Sequence, residues 1–402
     1  MKKAILLAAL ALVACSDASG SGDAQNDKGP GGGQNGPGPG SRAPTDSKPP
    51  SPLDPPPAGG GSVACDQETA AIQTAMDAAH PTNTDAVATI KTPACGVRFF
   101  TSGPAKVDAT KLHRVASVTK TYTAGVVLKL VEEGKLSLDA SASQWLPSIP
   151  GGAAVHVRHL LQHVSGLKPF DNTLGFQACL TFGCTPDRLL SLSFDQGQAS
   201  QPGTTFAYAN VNFVALGVIA EKVAGKPLAT LLHEQVLTPI HAEKTFFAGG
   251  ETVGGTLAIG RDEGGRDATN RLNMTGLYAA GNIAASPGDV LTWIEALGSG
   301  TFYGPDLQGE ITKFIPFAGT TDYKYGLAMM ELQPSASFGG GPGRGHNGDL
   351  IPGYHTQAFY FPERQTTVVS IIDYNPPGLA QNPQPIYAVF RAILKTLFSA
   401  SP

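Results

Sequence analysis

The chain has 402 residues, a formal net charge of −4 at pH 7 and a hydrophobic fraction of 41%. The slightly acidic balance offers no basic surface for nucleic acid, so we expect no nucleic-acid partner. The chain beyond residue 64 is long enough to bury a large core in two lobes.

Residues 1–14 have the pattern of a secretory signal peptide. A cationic head precedes the apolar run Ala4–Val13, which is too short to span a bilayer. Leu12-Val13-Ala14-Cys15 resembles a bacterial lipoprotein box, which implies that Cys15 becomes a lipid-bearing N-terminus. We therefore expect an exported protein, anchored by lipid at the periplasmic face of a membrane or at the cell surface. Ser16 after the cysteine favours an outer membrane.

Residues 15–64 are predicted to form a tether. Ser16–Ser62 is rich in glycine and proline, and Leu53 is its one large aliphatic residue. Such a composition cannot bury enough apolar surface to offset the entropy of ordering. The folded domain would then occupy residues 65–402.

Four cysteines remain in that domain, and an even number in an exported chain indicates two disulfides. Three pairings are open. The one we favour joins Cys65 to Cys95, at the start of the domain, and Cys179 to Cys184, around a small loop.

The first elements of the domain are a helix over Glu68–Ala79 and two strands. Ala86–Ile90 and Val97–Thr101 alternate in the manner of paired strands, with a turn over residues 93–96 between them.

Ser117-Val118-Thr119-Lys120 runs into an apolar helical segment that ends at Gly134. A serine and a lysine three residues apart lie on one helix face, where the lysine can take or relay the hydroxyl proton. This is the minimal apparatus of a serine acyl-transfer enzyme. A second copy, Ser165 to Lys168, contains glycine and precedes proline, so it predicts a turn. An ordinary helix N-cap is the alternative role for Ser117.

A mainly helical insertion is predicted over about residues 121–275, including a helix at Val211–Ala224. His156, His159 and His163 have the spacing of a metal triad, but no carboxylate joins them. We expect no metal and no cofactor.

The last third returns to strands at Tyr325–Leu332, Tyr354–Phe361 and Thr366–Ile372, followed by a helix over Pro385–Ser399. Strands at both chain ends predict an α/β (α+β) fold, with an antiparallel sheet from both ends flanked by helices and an inserted helical lobe. The active site would lie in the cleft between the lobes.

Two further motifs are Tyr208-Ala209-Asn210 and His346-Asn347-Gly348. Each has an ordinary structural explanation when taken alone: a half-buried tyrosine, a helix cap, a turn histidine. In order with Ser-x-x-Lys, however, they resemble the motifs of the penicillin-recognising serine hydrolases, a family that includes D-alanyl-D-alanine carboxypeptidases, class C β-lactamases and related esterases. The resemblance covers roughly residues 70–398 and implies a β-lactamase/penicillin-binding-protein-like fold.

The resemblance also implies roles for individual residues. Ser117 would be the nucleophile, and Lys120 would help to remove its proton. Tyr208 would share general-base and general-acid work, its hydroxyl made more acidic by the nearby ammonium. Asn210 would hold the substrate's amide.

His346, Asn347 and Gly348 would lie on the sheet edge that lines the cleft. The backbone N–H groups of Ser117 and Asp349 would form the oxyanion hole. Many relatives carry threonine where Asn347 stands, and its hydroxyl helps to hold a substrate carboxylate. Class C β-lactamases carry lysine at the position of His346, so histidine favours a carboxypeptidase or an esterase.

The sequence thus predicts a monomeric serine hydrolase that acts as a D-alanyl-D-alanine carboxypeptidase on cell-wall peptides, with peptidoglycan and a membrane as partners. An esterase or weak β-lactamase that takes ester or β-lactam substrates is one alternative. A non-catalytic module that binds penicillin or the cell wall is the other.

Overall fold

A computed structural model describes residues 63–80, 84–334, 339–374 and 384–398. The predicted signal peptide, Cys15 and nearly all of the tether lie outside these residues. None of the helices in the described ranges is both long enough and apolar enough to cross a membrane.

The described helices are α1 Val63–Ala79, α2 Thr119–Glu132, α3 Val157–Leu161, α4 Leu174–Phe182, α5 Pro186–Phe194, α6 Asn210–Ala224, α7 Leu228–Leu232, α8 Pro287–Ser299, α9 Pro305–Ile311 and α10 Gln384–Phe398. The described strands are β1 Ala86–Thr92, β2 Gly96–Ser102, β3 His113–Arg114, β4 Thr245–Phe247, β5 Ile283–Ala285, β6 Ile315–Pro316, β7 Tyr323–Tyr325, β8 Met330–Leu332, β9 Gly343–Leu350, β10 Tyr354–Phe361 and β11 Thr366–Ile372.

Eight of these strands form one antiparallel sheet in the order β2-β1-β11-β10-β9-β8-β7-β6. β1 pairs directly with β11, so strands from both chain ends lie side by side in the sheet, second and third from one edge, with Ala86 opposite Ile372. α1 and α10 pack together on one face and α8 packs on the other. The predicted antiparallel sheet with flanking helices is confirmed.

Apolar side chains on one face of the sheet explain why the two terminal helices pack there. Ile72 and Met76 of α1, and Val389 of α10, are fully buried in the same core as Phe359 and Phe361 of β10. Alternate residues of a strand point to the same face, so the two phenylalanines, two positions apart, present one apolar surface to both helices.

The chain between β2 and β6 forms a mainly helical lobe with a small sheet of order β3-β5-β4. α2 and α6 pack against each other in its core. Gly225 ends α6 in the left-handed conformation, at φ 66°, which glycine adopts without steric cost.

The predicted strand over Tyr325–Leu332 is wrong, because the segment is a hairpin in which Tyr325 pairs with Met330. The Gly326 amide donates to the Met329 carbonyl at 2.8 Å, and Ala328 takes a positive φ of 56°. The turn is placed by tertiary packing, since a Cβ at Gly326 would lie 2.1 Å from the Ile311 carbonyl oxygen.

The resemblance placed only His346, Asn347 and Gly348 on a sheet edge, whereas β9 runs over Gly343–Leu350. Three glycines weaken its propensity, but β10 pairs along most of its length, from Arg344 to Leu350. Long-range pairing therefore decides the structure here.

Both predicted disulfides are confirmed. Cys65 of α1 joins Cys95 in the β1–β2 turn, and Cys179 of α4 joins Cys184 just beyond that helix.

Candidate active site

Ser117 lies in a 3₁₀ turn, Ala116–Val118, that leads directly into α2. Ala116 before it has a positive φ of 49°, a conformation that costs about 1–2 kcal/mol for a residue with a side chain. Gly348 of β9 packs on this turn so closely that a Cβ would lie 2.2 Å from the Val115 carbonyl oxygen and 3.0 Å from the Ser117 nitrogen. The glycine of the His-x-Gly motif thus allows β9 to reach the serine amide.

Lys120 is fully buried one helical turn after the serine. Three acceptors surround its Nζ: Ser117 Oγ at 3.0 Å, Asn210 Oδ1 at 2.8 Å and the Ala280 carbonyl oxygen at 2.8 Å. Burial lowers the pKa of Lys120 to about 7, although the nearby Asp171 carboxylate opposes the shift. A substantial fraction of the side chain is therefore a neutral amine at neutral pH.

The three partners determine where the lone pair of that amine points. A neutral amine has two N–H donors and one lone pair. The oxygens of Asn210 and Ala280 can only accept hydrogen bonds, whereas the Ser117 hydroxyl can donate one. The lone pair consequently faces the serine proton, which is the geometry that a general base requires.

Asp171 fixes the orientation of the amide that holds the lysine. The Asn210 Nδ2 group donates to Asp171, so the amide oxygen must face Lys120. Burial raises the pKa of Asp171, while the Asn210 hydrogen bond and the Lys120 charge oppose that change. Sequence analysis missed Asp171, which lies just after the second Ser-x-x-Lys copy and belongs to none of the three motifs.

Tyr208 is half-buried beside the same two residues. Lys120 Nζ lies 5.0 Å from the centre of its ring, and the Ser117 side chain is near enough to its hydroxyl to lower the Tyr208 pKa slightly against the effect of burial. The expectation of a more acidic hydroxyl is wrong, because burial raises the pKa of Tyr208 well above its usual value. The phenol stays protonated and suits a proton donor.

His346 is buried behind the tyrosine, their ring centres 6.4 Å apart. Its Nδ1 donates to the Asn347 carbonyl oxygen, which leaves Nε2 to accept from the Tyr325 hydroxyl at 3.1 Å. Burial lowers the pKa of His346 to about 3. The imidazole is accordingly neutral, unlike the lysine of class C β-lactamases.

The second half of β9 borders the nucleophile turn. β9 lies inside the sheet order, but β8 pairs with it only over Gly343–Gly345, which leaves the stretch from His346 onward without a partner strand on that side among the described residues. The predicted sheet edge thus exists locally.

The side chains of Asn347 and Asp349 do not share the face of His346. Asn347 and Asp349 are both near enough to Tyr387 of α10 to act on its pKa, and Asp349 pairs with His355 Nδ1 at 2.8 Å. Strand alternation places both on the α10 side of the sheet. Any contact of these two residues with a substrate on the cleft side would come from their backbone.

The three histidines singled out by spacing do not form a metal site. His156 and His159 stack on each other at the start of α3, whereas His163 is buried against Tyr208, with ring centres 4.2 Å apart. In the described part of the chain, no group of three or more His, Cys, Asp or Glu side chains could hold a metal ion.

Comparisons with known proteins show which enzymes this chain is similar to. The D-alanyl-D-alanine-carboxypeptidase/endopeptidase AmpH of Escherichia coli (strain K12) is 27% identical over 49% of this chain and 51% of its own length. The chain thus spans only about half of that relative. A crystal structure of a D-stereospecific amidohydrolase from Streptomyces sp. matches with a TM-score of 0.69 and 26% identity, over 80% of this chain and 98% of that one.

A D-amino acid amidase from Ochrobactrum anthropi shares the fold, with a TM-score of 0.73 and 22% identity over 82% of this chain and 98% of that one. The family model described as Beta-lactamase matches residues 88–387. This range runs from the first strand to the last helix and includes every motif described above. The chain belongs to the Beta-lactamase family, the serine penicillin-recognising hydrolases.

Proposed function

We propose that the protein is a serine hydrolase that forms an acyl-enzyme on Ser117 and acts as a D-alanyl-D-alanine carboxypeptidase on cell-wall peptides. The observation that carries this proposal is the set of contacts made by buried Lys120. Two of its partners, the oxygens of Asn210 and Ala280, can only accept hydrogen bonds, so the lone pair of the neutral amine faces the Ser117 hydroxyl. The serine is thereby activated without a histidine.

In the first step, Lys120 takes the Ser117 proton while Oγ forms a bond to the substrate's carbonyl carbon. The negative charge that develops on the carbonyl oxygen is stabilised by the backbone N–H groups of Ser117 and Asp349, each worth about 3–4 kcal/mol by analogy with other hydrolases.

In the second step, Tyr208 gives its phenolic proton to the leaving nitrogen and the C–N bond breaks. The proton held by Lys120 then passes to the Tyr208 oxygen, which restores both groups. Water next attacks the ester carbon and loses a proton to Lys120. The C–Oγ bond breaks, and the proton returns to Ser117.

Three observations support a peptide substrate from the cell wall. AmpH is named as a carboxypeptidase and endopeptidase for D-alanyl-D-alanine, and the Streptomyces structure is named as D-stereospecific. The third is the predicted tether at residues 15–64, which would let an anchored domain reach a wall polymer.

Export and lipid anchoring at Cys15 are part of the proposal. They rest on the signal-like residues 1–14 and are supported by two disulfides, which persist in oxidising compartments. Labelling cells with a fatty-acid probe tests the anchor, since Cys15→Ala should abolish the label and release the protein from the membrane fraction. A variant that still carries the label would contradict the assignment.

A second candidate, an esterase or weak β-lactamase, is favoured by the charge of the cleft. His346 is neutral where class C enzymes carry lysine. Such a site attracts a substrate's carboxylate weakly. Substrates without a terminal carboxylate would then be preferred.

Turnover of four substrates separates these candidates: an acyl-D-Ala-D-Ala peptide, the same peptide with its C-terminus amidated, nitrocefin and a p-nitrophenyl ester. The first proposal expects hydrolysis of the free peptide at least about tenfold faster than the amidated one. The reverse order, or ester hydrolysis alone, supports the second candidate.

Ser117→Ala is the control for every substrate and should abolish both turnover and labelling by a fluorescent penicillin. A labelled Ser117→Ala protein would remove Ser117 as the nucleophile. Tight wall binding that persists in this variant, with no turnover by the wild type, would instead identify a binding module.

A further inference from the structure

His163, the last of the three histidines at 156, 159 and 163, packs directly against Tyr208. Its carbonyl oxygen accepts from the Ala207 amide at 2.8 Å, and its ring Nδ1 accepts from the Ala209 amide at 3.2 Å. The two rings are in contact, tilted by 32° to each other with 4.2 Å between their centres. One histidine therefore holds the backbone on both sides of the tyrosine and packs on the tyrosine ring itself.

The backbone of His163 is arranged for this contact. Its φ is 57°, in the left-handed region where residues other than glycine are uncommon. Histidine is one of the side chains enriched there, and the fully buried position holds it in place. A non-glycine residue kept in this conformation beside a candidate catalytic group points to a functional constraint.

A chain of hydrogen bonds sets the tautomer of the ring. The Leu167 amide can only donate, and it donates to Ser165 Oγ at 3.2 Å. The Ser165 hydroxyl donates in turn to Asn212 Oδ1 at 2.6 Å, so Asn212 Nδ2 is the donor to His163 Nδ1 at 2.9 Å. With two donors on Nδ1, the proton of the imidazole must lie on Nε2.

The same hydrogen bonds exclude the protonated imidazolium, because a proton on Nδ1 would point at the N–H groups of Ala209 and Asn212. Burial, with Lys120 and His346 nearby, also lowers the pKa of His163 well below its usual value. The imidazole is thus a fixed, neutral acceptor. Ser165, which belongs to the second Ser-x-x-Lys copy, is a member of this network and not a second nucleophile.

We propose that His163, oriented by Asn212 and Ser165, is a positioning residue that holds the Tyr208 hydroxyl in place to protonate the leaving group. The inference rests on the proposed function, since it assumes that Tyr208 is the proton donor for Ser117 chemistry.

A pair of substrates that share one acyl group but differ in leaving group tests the proposal. An anilide needs a proton to depart, whereas a p-nitrophenyl ester does not. Asn212→Asp keeps the shape of the side chain but replaces the donor to His163 with an acceptor. It should lower kcat/KM about 100-fold for the anilide and less than about fivefold for the ester, the same split as Tyr208→Phe.

Asn270→Asp is the matched control, because this exposed amide contacts Arg114 at 3.5 Å and has no part in the network. It should leave both rates unchanged. His163→Asn keeps an acceptor near the Nδ1 position and tolerates the left-handed backbone, so it should retain more anilide activity than His163→Ala. Equal losses on anilide and ester, or an unchanged anilide rate in Asn212→Asp, would overturn the positioning role.

Histidine ¹⁵N NMR of the full chain tests the network without any turnover. The signal that disappears in His163→Asn belongs to His163. In the wild type this signal should report a ring protonated on Nε2 from pH 5.5 to 8.5. In Asn212→Asp the same signal should report a different protonation state of the ring. A ring protonated on Nδ1, or one that titrates near its usual pKa of about 6.5, would overturn the inference. If the wild type turns over neither substrate, the proposed function fails instead, whatever the spectrum shows.

Discussion

At Lys120, burial and a nearby charge act on the pKa in opposite directions. Burial lowers the pKa by disfavouring the charged form, whereas the Asp171 carboxylate raises it. The oxygens of Asn210 and Ala280 accept hydrogen bonds from the same nitrogen. Both oxygens are satisfied by the neutral amine, so losing the proton costs no hydrogen bond there. Only the contact with Ser117 changes direction, and that contact is the reactive one.

Tyr208 experiences the same burial with the opposite result. A low-dielectric environment raises the pKa of a phenol and lowers that of an amine, so the two groups separate into a proton donor and a proton acceptor. Pairs of titratable groups whose environments push their pKa values apart are the usual basis of acid–base assignments.

The Asp171 carboxylate is the group that limits how far the pKa of Lys120 falls. In Asp171→Asn the attraction that favours the ammonium is lost, so the acid limb of kcat/KM should move to lower pH by about one unit. The plateau should stay within about threefold, because an asparagine oxygen can still accept from Asn210. The readout is kcat/KM from pH 5 to 9.

Asp187→Asn serves as the control, since this acidic residue is exposed on α5. Asp187→Asn should leave the acid limb of the kcat/KM profile at the same pH as in the wild type. A limb that moves to higher pH in Asp171→Asn would contradict the electrostatic role of this residue.

Among the elements, the contact between β9 and the nucleophile turn brings the sheet to the active site. Gly348→Ala would place a Cβ 2.2 Å from the Val115 carbonyl oxygen, and neither backbone can yield without moving Ser117. We expect kcat/KM to fall about 100-fold and the free energy of unfolding to fall by about 1–3 kcal/mol. Kinetics and urea unfolding measure the two effects.

Gly309→Ala is the matched control, because nothing lies within 4 Å of a Cβ at this position in α9. Alanine should raise the free energy of unfolding by about 0.5–1 kcal/mol there with activity intact. Full activity in Gly348→Ala would mean that the turn and the strand are not tightly coupled.

For the whole molecule, the two disulfides differ in the length of chain that they close. Cys65–Cys95 spans 30 residues and Cys179–Cys184 spans 5. Loop-closure entropy assigns about 3.6 kcal/mol to the first and about 2 kcal/mol to the second. Replacing each pair by serine should therefore lower the free energy of unfolding more for Cys65–Cys95, as measured by urea titration. A larger loss for the short loop would contradict this order.

The sequence predicted the parts of this molecule that short-range chemistry controls. Ser117 and Lys120 are one turn apart on the chain, so helix geometry alone brings them together. α6 could be read from its apolar pattern and its terminal Gly225. The disulfide pairing that the structure shows is the one favoured among the three that the sequence left open.

Residues that act through long-range contacts could not be found in this way. Asp171 reaches Lys120 through Asn210, and the carbonyl of Ala280 approaches from a separate turn. Neither residue belongs to a motif. The pKa of Tyr208 was misjudged for the same reason, because its burial depends on packing that no local pattern reports.

The pH dependence of acylation tests the central claim most directly. The logarithm of the rate at which a chromogenic substrate acylates Ser117 should rise by about one unit per pH unit below pH 7. Above pH 7 the rate should level off and stay constant to at least pH 9. The reactive form is the neutral Lys120 amine, so activity is lost as the pH falls through its pKa of about 7. A rate that stays constant down to pH 5, or that falls as the pH rises through 7, would show that Lys120 is not the base.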